Sequence, residues 1–87
     1  MDREEAEQLA RRFAPSVYRL AYARTGHRAD AEDVMQEVFL RLMPAAPDFR
    51  DDEHAKAWLL RVAANCAGDL FRSALRRRAR PLEEAQG

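Results

Sequence analysis

The sequence predicts an all-α protein, a compact bundle of about three helices, and three observations support that prediction. Apolar residues recur at intervals of three and four in three segments, which is the period of helices with one buried face. Prolines and other turn-forming residues separate these segments at "TGHRAD" and "MPAAPDFRDDEH". The chain has 87 residues, 47 % of them hydrophobic, which suits one small domain with a modest core. We expect that domain to occupy residues 1–80, with "PLEEAQG" at 81–87 as a frayed tail or the start of a linker.

The first helix should extend from about residue 2 to residue 24. Pro15 lies inside this segment and lacks a backbone donor, so we expect a kink or split near Phe13 and Ala14. Pro15 would then stand in the first turn of the second part, and Gly26 would be the C-cap. The apolar positions that keep the helical period are Leu9, Phe13, Val17, Leu20 and Ala21.

The second helix should extend from about residue 29 to residue 42, with Asp30 as its N-cap. Pro44 should end it at or before Met43, because the residue before a proline is disfavoured in helical geometry. The apolar positions that share one broad sector, and should face the core, are Ala31, Val34, Met35, Val38, Phe39 and Leu42.

The opposite side of the second helix is polar and acidic, with one leucine in its middle. Asp33, Gln36 and Glu37 cluster there around Leu40. One interpretation is a solitary exposed leucine, which is common in soluble proteins. The other is a docking surface in which Leu40 is a small apolar anchor and the carboxylates meet basic residues of a partner.

The third helix should begin near His54 or the residue after it, with Asp52 or Glu53 helping to cap it. It should extend to about Arg78, before Pro81. The positions expected to be buried are Leu59, Val62, Ala63, Cys66 and Leu70. A second set falls within roughly 80° of one another on the helical wheel, and consists of Trp58, Arg61, Asn65, Asp69, Arg72 and Arg76.

That second set, which we call the α3 stripe, has the composition that a nucleic-acid-facing helix needs. Arginines contact phosphates, Asn65 can donate to and accept from a base edge, and an exposed tryptophan, as we expect Trp58 to be, can stack on an unpaired base. The alternative is a solvated helix face with ion pairs such as Asp69 to Arg72 or Arg76. The arginine run at residues 76–78 favours the nucleic-acid interpretation.

Charge is segregated along a chain whose formal net charge is zero. Residues 1–60 carry nine basic and twelve acidic side chains, whereas residues 61–80 carry six arginines and one aspartate. This segregation predicts two surfaces with different partners.

Other classes of function find little support. The sequence contains no Gly-rich phosphate loop and no recognisable nucleophile motif, so we expect neither an enzyme nor a cofactor. Cys66 should be a core residue, and a zinc site built from it with His27 and His54 has poor ligand spacing. No apolar run approaches the roughly 20 residues of a membrane span, and the charged N-terminus lacks a signal-peptide core, so we expect a cytoplasmic protein.

Two segments resemble a known family. "ADAEDVMQEVFLRL" resembles the segment of bacterial sigma factors that docks on the largest subunit of RNA polymerase. "AWLLRVAANCAGDLFRSALRRR" is similar to the following segment, which recognises and opens the minus-ten promoter element. The patterns D-V-x-Q-E-x-F and W-L-x-R-x-A-x-N-x-x-x-D-x-x-R, with a short gap between them, resemble the extracytoplasmic-function group. The match extends from about Phe13 to Arg78.

The resemblance implies a transcription initiation domain and assigns roles to single residues. Asp33, Gln36 and Glu37 match the positions that dock on a basic coiled coil of the polymerase largest subunit, and the wheel adds Leu40. The resemblance also implies contacts with the non-template DNA strand of the minus-ten element. The residues implied are Trp58 at the upstream edge of the melted bubble, Arg61, Asn65 and Asp69 along the strand, and Phe49 and Arg50 in a loop, 49–54, that helps to form a pocket for a flipped-out base. The wheel adds Arg72 and Arg76 to the DNA-facing set.

The sequence also departs from the family pattern. Relatives carry a linker and a second helical domain that reads the minus-35 element, and neither is in this sequence, so an excised domain and a naturally short protein both fit. Pro44 falls where many relatives continue the helix, and Ala64 stands where a basic residue is common. A second function therefore stays open, namely an interaction module that binds polymerase or an anti-sigma factor without productive DNA contact.

Overall fold

Three helices make up most of the computed structural model, which describes residues 2–45 and 48–79, with side chains as far as Arg76. They are α1 (Arg3–Thr25), α2 (Arg28–Ala45) and α3 (Asp52–Ala79). This architecture confirms the predicted all-α bundle. The tail predicted at residues 81–87 lies outside the described residues.

Helix α1 is capped at both ends by side-chain and backbone groups. The Asp2 carboxylate accepts a 2.8 Å hydrogen bond from the backbone N–H of Glu5, which satisfies one donor of the first turn. Gly26 has a φ of 74°, a left-handed conformation that glycine adopts without steric cost. Its N–H donates to the Tyr22 carbonyl at 2.8 Å. The prediction of Gly26 as the C-cap is therefore confirmed.

Two predicted effects of prolines were wrong, namely a split of α1 at Pro15 and an end of α2 at or before Met43, whereas a kink of α1 at Pro15 stays a prediction. Helix α1 is not split at Pro15 but is assigned as helix throughout, and α2 extends past Pro44 to Ala45. A proline removes one backbone hydrogen bond, but tertiary packing can offset that loss. Val17 lies just beyond Pro15 and is fully buried, and Leu42 in the last turn of α2 is 1 % exposed. Buried side chains thus hold both helices in place around their prolines.

Helix α2 begins one residue earlier than predicted and α3 at least two residues earlier, and their caps differ from those expected. The first bond of α2 runs from the Ala31 N–H to the His27 carbonyl at 2.9 Å, so Asp30 lies within the first turn instead of capping it. The cap of α3 is Asp51, whose carboxylate accepts from the His54 N–H at 2.8 Å. Asp52 occupies the first turn of α3, where a negative charge suits the helix dipole.

The core lies where the three helices meet, and it confirms the predicted buried faces. The largest fully buried side chains are Val17, Val34, Val38, Leu42 and Leu59. Some predicted core positions are only partly buried at the edge of this cluster, namely Leu9, Phe13, Leu20, Met35, Phe39, Val62 and Leu70. Three buried alanines, Ala6, Ala55 and Ala67, were not among the predicted core positions. Their small side chains allow the helices to approach closely.

The helices place the beginnings of α1 and α3 at one end of the bundle. An ion pair joins Arg12 of α1 to Asp52 at the start of α3. At the other end, Thr25 lines one small cavity with Phe71 and Ala74. The two helices therefore run side by side in the same direction, with α2 antiparallel to both.

No helix within the described ranges is both long and apolar enough to cross a membrane.

Candidate nucleic-acid interface

The α3 stripe lies on the accessible side of its helix, opposite the core. On the opposite side of α3, Leu59, Ala63 and Ala67 are fully buried. The exposed members of the stripe are Arg61, Asn65, Asp69, Arg72 and Arg76. The structure therefore brings these five side chains together on one surface, as the wheel predicted.

Within this stripe, Asp69 and Arg72 form an ion pair one turn apart. Their side chains are 65 % and 62 % exposed, so the pair is well solvated. The Arg72 guanidinium also lies over Gly68, with one nitrogen 3.5 Å from the point where a β-carbon would stand. This is the ion pair that the solvated-helix alternative expected. A solvated pair contributes about 0.2–1 kcal/mol, so a phosphate could replace Asp69 at small cost.

Trp58 is less accessible than the sequence analysis assumed. It is partly buried and packs against the core cluster. The Phe49 ring meets it edge-on, with 5.9 Å between ring centroids and 62° between planes. A freely exposed tryptophan was therefore the wrong expectation. Periodicity placed Trp58 on the correct side of α3 but could not reveal that the preceding loop covers part of it.

The loop before α3 is held to the helix by His54, a residue to which the sequence analysis gave no role of its own. The backbone N–H of Arg50 donates to His54 Nδ1 at 3.1 Å. The His54 ring packs edge-on against Phe49, with 5.3 Å between centroids. His54 precedes Trp58 by four residues, so the two share one side of α3. That spacing was a signal from which this aromatic cluster could have been found.

A groove of about 750 Å³ opens beside this loop, between its residues and the first half of α1. The loop and the start of α3 supply Asp48, Phe49, Asp51 and Asp52. Helix α1 supplies Gln8, Arg11 and Arg12 among others. The exposed Arg50 lies in the same loop. Phe49 thus lines an open groove and also packs against His54 and Trp58.

The predicted docking residues of α2 lie on its outer surface. Asp33 and Gln36 are exposed, and Leu40 is 69 % exposed, so the structure keeps an apolar side chain in water within this acidic face. Glu37 is only partly exposed and accepts from Arg41 at 3.1 Å. We call these four residues, Asp33, Gln36, Glu37 and Leu40, the α2 face. Arg41 was missed, although its i,i+4 spacing from Glu37 predicts the pair.

A smaller groove of about 300 Å³ connects the α2 face with the α3 stripe. Asp33, Glu37 and Arg41 line one side, and Asp69 lines the other, with Cys66 at the base. Burial raises the pKa of the Cys66 thiol, an effect that Arg41 opposes and that Glu37 and Asp69 reinforce. The two predicted surfaces are therefore neighbours, close enough to share an electrostatic environment.

The described residues form a small helical domain that presents charged side chains on two exposed surfaces, the α2 face and the α3 stripe. These features define the class of protein. The sequence profile of Sigma-70 region 2 matches residues 9–80. The chain therefore belongs to the sigma-70 region 2 family.

Curated relatives carry similar sequences over most of this chain. The ECF RNA polymerase sigma factor SigE of Mycolicibacterium smegmatis is 38 % identical over 79 residues, covering 91 % of this chain and 29 % of the relative. The ECF RNA polymerase sigma factor SigM of Mycobacterium tuberculosis is 34 % identical over 83 residues, covering 95 % and 42 %. The BldN factor of Streptomyces coelicolor, also named as an ECF RNA polymerase sigma factor, is 36 % identical over 73 residues, covering 79 % and 28 %. The chain thus spans less than half the length of these relatives, and no solved structure gives a significant match.

Proposed function

We propose that this domain acts in transcription initiation by docking on the largest subunit of RNA polymerase and binding the non-template strand of the minus-ten promoter element. The observation that carries the proposal is the adjacency of two unlike surfaces. The acidic α2 face and the arginine-bearing α3 stripe meet at the groove between Glu37 and Asp69. Family membership and the relatives named above support a sigma-factor role for such a domain.

The α2 face has the chemistry to bind a basic helical surface. Asp33 and Glu37 stand one turn apart, and Leu40 projects an exposed apolar side chain beside them. A charged rim accelerates and orients association, while a small apolar anchor adds affinity once water is excluded. The basic coiled coil of the polymerase largest subunit is the partner we propose for this face.

The α3 stripe has the chemistry to bind a single DNA strand. Arg61, Arg72 and Arg76 can neutralise phosphates along the helix. Asn65 carries both a donor and an acceptor, so it can distinguish base edges. Trp58 and Phe49 form an aromatic corner at one end of the stripe, where a base can stack or enter the loop groove.

Strand opening then follows from binding energy without hydrolysis of a nucleotide. Extruding a base from the duplex costs a few kcal/mol, and stacking contributes about 1–3 kcal/mol per base. Several such contacts, together with phosphate contacts, can offset the cost of melting a short element. Binding of the open strand is therefore the step that we assign to the stripe and the loop.

The decisive experiment is a titration of fluorescent single strands, one with a minus-ten sequence and one scrambled, onto the domain with and without the polymerase coiled coil. We expect preference for the minus-ten strand when the coiled coil is bound. Asn65→Ala should reduce that preference, whereas Glu7→Ala, a change of an exposed α1 residue outside the α2 face, the α3 stripe and the loop, should not. Equal binding of both strands by the unaltered complex would contradict the proposal.

A second candidate function is an interaction module that binds polymerase or an anti-sigma factor without contacting DNA. The Asp69–Arg72 ion pair favours it, since this arginine already has a carboxylate partner on its own helix. In that case the coiled coil would bind the α2 face, but no strand would bind the complex above the non-specific level.

A further inference from the structure

His54 connects the loop to α3 through contacts of both its backbone and its ring. Its backbone N–H donates to the Asp51 carboxylate at 2.8 Å, its Nδ1 accepts from the Arg50 N–H at 3.1 Å, and its ring packs edge-on against Phe49. Phe49 in turn packs edge-on against Trp58. The side chain of His54 is thus the part of α3 that fixes both the loop backbone and the first ring of the aromatic corner.

We infer that His54 is a positioning residue whose neutral imidazole holds the 49–51 loop in the shape that presents Phe49 and Trp58 to a DNA base. The inference rests on the proposed function in so far as the loop contacts DNA. It adds to that function a residue that touches no DNA itself. It also makes the geometry of the loop depend on whether one imidazole carries a proton.

The chemistry of the ring gives the direction of this dependence. Nδ1 can accept from the Arg50 N–H only when it carries no proton, so the proton of the neutral ring must be on Nε2. A charged imidazolium has two N–H donors and no acceptor, and it would point a donor at the Arg50 donor. A cation near the Phe49 ring gains some attraction, but this cannot restore the lost acceptor. Protonation should therefore release the Arg50 backbone from α3, while the hydrogen bonds of Asp51 to the first turn of α3 remain.

Other charged groups surround this corner and are already engaged in part. The Asp51 carboxylate caps the His54 N–H, and Asp52 is paired with Arg12. None of the described residues that line the adjoining groove belongs to α2. The charged groups of the loop and its adjoining groove are Asp48, Arg50, Asp51 and Asp52 from the loop and α3, and Glu5, Arg11 and Arg12 from α1. The other histidine of the chain, His27, lies in the turn before α2, outside this corner.

The test uses Trp58, the single tryptophan of the 87-residue chain, as a reporter. Its fluorescence is measured without DNA between about pH 5 and pH 8, the range in which an imidazole changes charge. Four chains are compared: the unaltered chain, His54→Asn, His54→Ala and the control His27→Asn. Asparagine places an acceptor oxygen near the position of Nδ1 but does not titrate, so it should restore the Arg50 contact at every pH.

We expect a sigmoidal change of Trp58 emission in the unaltered chain and in His27→Asn. His54→Asn should show the neutral-pH spectrum throughout, and His54→Ala the low-pH spectrum throughout. A transition that persists in His54→Asn, or its absence from the unaltered chain, would overturn the inference. If His54→Ala fails to fold by circular dichroism, the loss of the transition in a folded His54→Asn still decides the question.

A second arm measures affinity for the minus-ten strand with the polymerase coiled coil bound. Acidification should weaken binding by the unaltered complex about 2- to 10-fold more than binding by His54→Asn, the range expected for one net hydrogen bond. Equal pH dependence of the two would overturn the role of His54 in strand binding even if the fluorescence result is as expected. Strand binding that fails in both complexes at every pH contradicts the proposed function itself, whereas the fluorescence arm still reports on His54.

Discussion

Replacement of Asp69 by asparagine should strengthen the binding of single-stranded DNA, because it frees Arg72 from its ion pair. Asparagine keeps the size and shape of the side chain but removes its charge. Arg72 and Asp69 form an intrahelical pair in the protein without DNA, so a phosphate that binds Arg72 must first displace a carboxylate. In the variant that competition disappears, together with the repulsion between the carboxylate and the strand.

The size of the effect follows from the exposure of the pair. Its side chains are 62 % and 65 % exposed, which places it among solvated ion pairs of about 0.2–1 kcal/mol. Since 1.4 kcal/mol corresponds to a factor of ten, release of Arg72 should raise affinity about 1.4- to 5-fold. If Arg72 gains one phosphate contact, the dependence of log affinity on log salt should steepen by roughly 0.7, the value for single strands.

The assay is a titration of minus-ten and scrambled strands at several salt concentrations, with the polymerase coiled coil bound. Glu7→Gln is the matched control, since it removes one negative charge from an exposed intrahelical ion pair, with Arg3, that lies outside the stripe and the loop. Arg72→Ala should abolish the gain when combined with Asp69→Asn. If Asp69→Asn increases affinity no more than Glu7→Gln does, Arg72 is not a strand contact. If it weakens binding of the minus-ten strand alone, Asp69 accepts a hydrogen bond from a base instead.

Three further predictions concern docking, base reading and the core. Asp33→Ala should weaken pull-down by the polymerase coiled coil at least several-fold. The control is Glu32→Ala, a change of an exposed acid that pairs with Arg28, and it should leave pull-down unchanged. Similar losses in both variants would mean that docking depends on net charge and not on Asp33 itself. Asn65→Ala should lower affinity for the minus-ten strand by about 1–3 kcal/mol with less effect on a scrambled strand. Arg76→Ala should weaken the binding of both strands alike. If the strand titration instead shows that Arg76→Ala affects mainly the minus-ten strand and Asn65→Ala affects both, Arg76 is the base contact and Asn65 is not. Leu59→Ala should cost about 2–5 kcal/mol of unfolding free energy in urea denaturation, because Leu59 is fully buried; a loss below about 1 kcal/mol would contradict its place in the core.

The periodicity of apolar residues was enough to predict the three helices and their buried faces. Burial repeats with the helical period, so Val34, Val38 and Leu42 on α2 could be assigned to the core from spacing alone. The ends of the helices could not be predicted in this way. Local rules predicted that α2 begins at Asp30 and ends before Pro44. In the structure the His27 carbonyl accepts the first hydrogen bond of α2, and the packing of Leu42 allows the helix to continue past Pro44.

The candidate site was predictable to the same extent, as faces but not as contacts. The wheel placed Asn65 and Arg72 together because both lie on one helix. It could not show that Phe49 packs between His54 and Trp58 with ring contacts to both, since that depends on the path of a loop. The groove between Glu37 and Asp69 depends on the packing of two helices, for which spacing within one helix carries no information.

The continuity of α3 gives the proposed strand contacts a fixed scale. At about 1.5 Å per residue, Trp58 and Arg76 are roughly 27 Å apart along the axis, which equals the rise of about eight nucleotides in one strand of B-form DNA. An unbroken helix keeps that distance constant and also keeps the stripe residues at constant angles around the axis, so α3 fixes the spacing of the proposed contacts. One residue inserted between Asn65 and Asp69 would turn Arg72 and Arg76 by about 100° away from Trp58, whereas four would return them to within about 40° and lengthen the distance by about 6 Å. If the proposed strand contacts form, their spacing is thus set by the residue count of a single helix.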